Sequence, residues 1–130
     1  MTIEELRERC VYWQQRLRLQ DWDVYVEYVR KDATDDWWGE LSCREIQHRY
    51  AKVRIVEPGS FLAADWPREK TDPEYILVHE LLHIYTEGIL GVPPPGEQVD
   101  RDGVCNHWAE QMADAVAQAL TNRSGQEDAR

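Results

Sequence analysis

Near the start of the chain, apolar residues recur at three- and four-residue spacing. Ile3, Leu6, Cys10, Trp13 and Leu17 share one face, which predicts an amphipathic helix over 2–19. Thr2 and Glu5 stand where a capping box would open it. The period then changes to two. Trp22, Val24, Val26 and Tyr28 alternate with Asp23, Tyr25 and Glu27, the pattern of a half-buried strand over 22–29. Lys31 to Asp36 is a polar turn. Two further strands, 38–45 and 49–56, lie close enough to pair as a hairpin. Pro58-Gly59 stops the sheet, and an irregular loop runs to about Lys70.

A second helix is announced by Asp72-Pro73-Glu74. Asp72 suits the N-cap, Pro73 the first helical position and Glu74 the positive end of the dipole. This helix is expected to run through His83 to about Glu87 and to end at Gly88 or Gly91. Residues 91–103, with Pro93-Pro94-Pro95-Gly96, read as a stiff loop. A third, Ala-rich helix is expected from about Val104 to Leu120, ended by Asn122. The order of helix, three strands, helix and helix predicts an α+β fold with a small three-stranded, mainly antiparallel sheet. A single domain would occupy 1–122, and 123–130 would be a disordered polar tail.

Composition narrows the function. The 130 residues suit one domain, and 42% hydrophobic with 31% charged residues excludes a disordered chain. Fifteen Lys and Arg against twenty-five Asp and Glu give a net charge of −10. With its basic residues scattered, such a domain repels phosphate backbones and anionic membranes, so neither nucleic acid nor membrane is an expected partner. No stretch approaches the roughly 18 apolar residues of a membrane span. Met1-Thr2-Ile3-Glu4-Glu5 lacks the basic and apolar regions of a signal peptide. The three cysteines, Cys10, Cys43 and Cys105, are widely spaced and read as small hydrophobes in a reducing compartment. A cytoplasmic protein is the expectation.

The chemistry centres on His79-Glu80-Leu81-Leu82-His83. Residues four apart share a helical face, so both imidazoles can reach one tetrahedral Zn²⁺. Glu80 sits to the side, where a carboxylate can act on a water instead of ligating the metal. Ile76, Leu77, Leu81, Leu82 and Ile84 mark the helix as buried, and polar groups buried there need partners. A third ligand must come from elsewhere. Glu87 shares the helix of both histidines and is poorly placed to wrap the same ion; Glu97, Asp100 and Asp102 lie in the loop. In the third helix His107, Glu110 and Asp114 form a polar stripe. That stripe either faces solvent or presents Glu110 to the metal.

The His79-Glu80-Leu81-Leu82-His83 motif, followed by Glu110 with Met112-Ala113 and Ala117-Gln118-Ala119-Leu120, resembles zinc metallopeptidases of the gluzincin type. Within them it looks most like the minimal phage and ImmA/IrrE-like members, over roughly 2–121. The resemblance implies a zincin-like core with Zn²⁺ held by His79, His83 and Glu110, Glu80 as general base, and a protein or peptide substrate. His107 would stabilise the oxyanion of the tetrahedral intermediate or replace Glu110 as ligand. Tyr85 could take the former role only if the motif helix ended early; otherwise it packs. Asp114 would orient a ligating histidine. An edge strand, 37–45 or 49–56, would line the cleft. SprT-like proteases would place their third ligand on His107, but their DNA-associated role suits the charge poorly. YbeY-type endoribonucleases need a histidine where Ile89 stands.

The leading expectation is thus a zinc-dependent metallopeptidase. The alternatives are a catalytically latent zincin-fold module binding a regulatory protein such as a repressor, and a metal-dependent hydrolase of another substrate. Trp37-Trp38-Gly39 reads as sheet packing and a strand entry more readily than as an aromatic rim, and His48 as solvated.

Overall fold

The computed structural model describes the backbone of residues 1–34, 36–45, 48–89 and 104–128; the side chains of 43–45, 87–89, 104–109 and 123–128 lie outside that description. The fold is α+β. Helix α1 (Ile3–Arg16) leads into strand β1 (Asp23–Val29), followed by β2 (Gly39–Glu45) and β3 (Tyr50–Val56). A short helix α2 (Arg68–Thr71) precedes α3 (Pro73–His83), which continues as a π-helical turn over Ile84–Ile89; α4 spans Val104–Asp128.

Helix α1 opens on the expected box, with the Glu5 amide donating to Thr2 Oγ1 at 3.1 Å. It ends before the expected 19, because Arg18 takes a left-handed conformation with φ 61°. Gln14 fixes that turn from inside, its amide donating to the carbonyls of Leu19 at 3.1 Å and Trp22 at 2.8 Å. The turned chain thereby delivers Leu19 and Trp22 to the core.

The sheet is mixed, where the order of elements predicts a mainly antiparallel one. β2 and β3 form the expected antiparallel hairpin, but β3 inserts between the other two strands, in the order β1-β3-β2, and runs parallel to β1. Alternation sets which face a strand buries and is silent on its neighbours. β3 is the most regular of the three. Ala51, Val53 and Ile55 are fully buried on one face, while Lys52 and Arg54 on the other pair with Glu27 and Glu40. With β3 central, β2 is an outer strand.

Helix α3 is buried on most of its circumference, and Leu77, Val78, Leu81 and the following Ile84 are wholly inaccessible. Asp72 caps it, accepting from the Glu74 amide at 3.0 Å, with Pro73 in the first turn as expected. Glu74 also ties it to α1, accepting from Trp13 Nε1 at 3.2 Å and Arg9 Nε at 3.0 Å. Burial of that many large aliphatic side chains, each worth about 1.5–3 kcal/mol, anchors a helix that also carries a polar cluster. After His83 the winding loosens. Thr86 Oγ1 donates to the His83 carbonyl at 3.1 Å, a local side-chain bond of the kind that competes with helical pairing.

Helix α4 packs on α3 through Ala113 and Ala117, both fully buried. These small side chains let the two axes approach closely. The backbone stays helical to Asp128, beyond the stop expected at Asn122 and into the segment expected to be a disordered tail. The Asn122 side chain accepts from Arg68, and so is engaged with α2 instead of terminating its own helix.

Candidate metal centre

Two pairs of residues at i, i+4 spacing meet across the α3–α4 contact. His79 and His83 lie on one face of α3, Glu110 and Asp114 on one face of α4. The Nε2 atoms of the two histidines are 3.2 Å apart. The Glu110 carboxylate spans both, with Oε2 3.2 Å from His79 Nε2 and Oε1 2.8 Å from His83 Nε2. A metal with ligand bonds of about 2.0–2.1 Å in tetrahedral geometry holds its donor atoms about 3.3 Å apart. Two imidazole nitrogens and a carboxylate oxygen at these separations fit such an ion and form a group that could hold one. The donor types are those of zinc and other first-row metals.

The remaining ring nitrogens are also committed. His79 Nδ1 lies 2.8 Å from Asp114 Oδ1. His83 Nδ1 is 3.3 Å from Thr86 Oγ1. Because the Thr86 hydroxyl donates its own proton to the His83 carbonyl, its oxygen is the acceptor for an Nδ1 proton. Each imidazole is thus held by an Nδ1–H bond that turns Nε2 inward, the arrangement that orients metal-ligating histidines. Tyr75 supports the outer layer in turn, its hydroxyl donating to Asp114 Oδ1 and to the Asp114 carbonyl, both at 3.2 Å. Burial and the adjacent Asp114 push the Tyr75 phenol up to about 12, so it remains a donor. Tyr75→Phe is expected to weaken metal binding about tenfold, within the range for outer partners of metal ligands. Competition against a chromogenic chelator measures this, and an unchanged affinity would remove Tyr75 from the account.

Without a metal, protons fill the gap. Burial opposes a charge on His79, but its hydrogen bond to Glu110 and the charges of Glu80, Glu110 and Asp114 outweigh it, pushing the pKa up to about 9. His83 is raised too, against its burial, chiefly by its bond to Glu110. The hydrogen bonds from both histidines hold Glu110 well below its usual range. These shifts fix the sign of a pH effect. A raised histidine contributes stability fully below its ordinary 6.5, lost as pH climbs through about 9. A depressed carboxylate contributes above its ordinary 4.5 and loses that contribution in acid. Metal-free protein is therefore expected to lose thermal stability from pH 6.5 toward 9, and His79→Gln to flatten that slope. A wild-type melting temperature independent of pH in this window, in chelator, contradicts the ion-paired cluster.

Glu80 stands apart from the ligand group. It is buried and faces the first residue of β2, Gly39. Burial raises its pKa, the two histidines oppose the rise, and Glu110 and Glu40 add to it.

The structure therefore brings together His79, His83 and Glu110, and sets Asp114 on His79 as the sequence suggested. Tyr85 goes elsewhere: its hydroxyl donates to the Leu17 carbonyl at the end of α1, which is the packing role. His107 is within the first turns of α4, but its side chain, like that of Glu87, lies outside the described residues, as do Glu97, Asp100 and Asp102. Trp38 is buried edge-on against Phe61 and Trp66, and Trp37 lies under the Arg54 guanidinium, so the tryptophan pair packs the strand entry. His48 is exposed. Sequence reasoning missed Tyr75, Thr86 and Gly39. Helical spacing carried a signal for the first two, which fall four residues before His79 and three after His83. Compared with protein-family models, curated proteins and solved structures, the chain matches none.

Proposed function

We propose that this chain is a small zinc-dependent metallopeptidase, with His79, His83 and Glu110 as metal ligands and Glu80 as general base. One observation carries the reading. Both histidines have their outer nitrogens tied down and their inner nitrogens converging with the Glu110 carboxylate, while Glu80 is kept out of that group. A purely structural site closes its coordination with four protein ligands; among the described residues this one offers three, and the Glu110 side chain is 45% exposed. Water can thus reach the Glu110 carboxylate. The His-Glu-x-x-His helix and the acidic ligand from an Ala-rich helix are the pattern of the gluzincins, and the small size suits the minimal ImmA/IrrE-like kind.

When bound at this site, zinc supplies Lewis acidity, polarising a carbonyl oxygen and making water a better nucleophile near neutral pH. The protein's own groups do the remainder. Glu80 takes the proton from the attacking water and passes it to the leaving amine. Asp114 and Thr86 keep the two imidazoles in the tautomer that faces the metal. Among the described residues no strand pairs with the outer edge of β2, whose backbone N–H and C=O groups would serve an extended peptide. A chain with a net charge of −10 favours neutral or basic protein substrates.

The test is cleavage of fluorescein-labelled casein by purified, zinc-loaded protein. Cleavage is expected with zinc, is expected to be lost in a zinc chelator, and is expected to return on zinc addition. A fully loaded protein that cleaves nothing would favour the latent interaction module.

A further inference from the structure

Every strand position facing α3 carries a side chain except the first residue of β2. Gly39 pairs with Ile55 and lies on the same sheet face as Leu41 and Val53, both of which press toward the helix. At Gly39 there is no room for one more carbon. A Cβ there would fall 2.4 Å from Ile76 Cγ2, 3.3 Å from Glu80 Cγ and 3.5 Å from Glu80 Oε1. The first of these is far inside van der Waals contact, and the atom it meets cannot swing aside. Cγ2 is the branch methyl of a β-branched residue on a helix, with essentially one rotamer available. Ile76 is also 5% exposed, so it cannot turn out into solvent without opening the core.

The demand is steric and nothing else. Among the described glycines only Gly59 takes a positive φ, so the backbone at 39 is one that any residue can adopt. Ile76 and Glu80 are one helical turn apart on a single face of α3, and both rest on the bare backbone of the strand. His79 and His83, one residue before Glu80 and three after it, lie beside that face and turn toward α4, which supplies Glu110 and Asp114. The histidines are thus held from α4, whereas the Glu80 turn rests on β2.

We infer that Gly39 is a positioning residue: its missing side chain lets α3 seat on β2 at the turn of Ile76, and that seating aims the Glu80 carboxylate at the substrate edge of the sheet. This rests on the metallopeptidase reading, because it concerns the base and leaves the metal group alone. Alanine at 39 pushes the Ile76 turn away from the strand and carries Glu80 with it, while the α3–α4 contact holds the three ligands together.

The experiment compares zinc-loaded wild type, Gly39→Ala, Ile76→Ala and the double variant, by zinc stoichiometry, thermal unfolding and initial rates over a concentration series of labelled casein. Gly39→Ala is expected to keep wild-type zinc content, to lower kcat at least tenfold and to leave KM within about threefold. Ile76→Ala, whose truncated side chain takes the clashing methyl away, is expected to be less stable than wild type yet to restore most of the lost kcat in the Gly39→Ala background. A Gly39→Ala protein as active as wild type overturns the inference. So does one that loses zinc along with activity, or one whose loss of activity or of folding Ile76→Ala does not relieve, since Gly39 would then serve the fold at large. A zinc-loaded wild type that cleaves no casein overturns the metallopeptidase reading itself, and this inference with it.

Discussion

Glu80→Gln is expected to retain one zinc per chain while peptide hydrolysis falls by about 10²–10⁴-fold, the usual worth of a general base. The substitution removes a proton acceptor and little else. Glu80 is 7% exposed, lies against Gly39 and stands outside the group of donor atoms that meets between α3 and α4. Glutamine has nearly the same shape and fills the same space. It also removes a buried carboxylate whose pKa is raised by desolvation, so stability is expected to hold or to rise slightly. Metal analysis and casein hydrolysis on the same preparation check both halves. Full activity in Glu80→Gln would take the base away from this residue, and loss of zinc would make Glu80 a ligand.

The second large effect is on the metal itself. Glu110→Ala removes the oxygen donor and leaves, among the described residues, only two imidazole nitrogens 3.2 Å apart. Zinc affinity is expected to fall at least a hundredfold, since outer partners alone are worth about 10–100-fold, and hydrolysis should fall with it. The metal-free protein should respond as well. Glu110 is the chief hydrogen-bond partner that raises His83 and His79, so both histidines should titrate at lower pH in the variant, which NMR of the ring protons would follow. Zinc retained at wild-type affinity in Glu110→Ala, with affinity lost in His107→Ala, would transfer the third ligand to His107.

Much of this site could be read from spacing alone. His79 and His83 fall on one helical face at any level of detail, and the stripe of Glu110 and Asp114 on a helix otherwise lined by Ala113 and Ala117 needed only a partner helix to join Glu110 to them in a group that could hold a metal and to set Asp114 on His79. Tyr75 and Thr86 follow the same spacing, yet each is ordinary as a residue type. Only the contacts that turn the Tyr75 hydroxyl to Asp114 and the Thr86 hydroxyl to the His83 carbonyl give them a role. Two features had no local signal. Strand alternation in β1 and β3 marks their buried faces correctly, but β3 chooses its place between β1 and β2 through the packing of Ala51, Val53 and Ile55 under α3, a long-range matter. Gly39 looks like an unremarked residue after two tryptophans. Its meaning appears only when Ile76 and Glu80 arrive from a helix far along the chain. The end of α4 at Asp128 is hidden for a related reason: Asn122 is a fair stop signal by itself, but its side chain is engaged by Arg68 of α2.

The central claim is that His79, His83 and Glu110 hold a zinc ion. Anomalous diffraction at the zinc absorption edge from crystals of the zinc-loaded protein tests it most directly. The account predicts one peak per chain, within bonding distance of both Nε2 atoms and a Glu110 oxygen and away from Glu80. A peak placed elsewhere, or none from protein shown to be fully loaded, would contradict it.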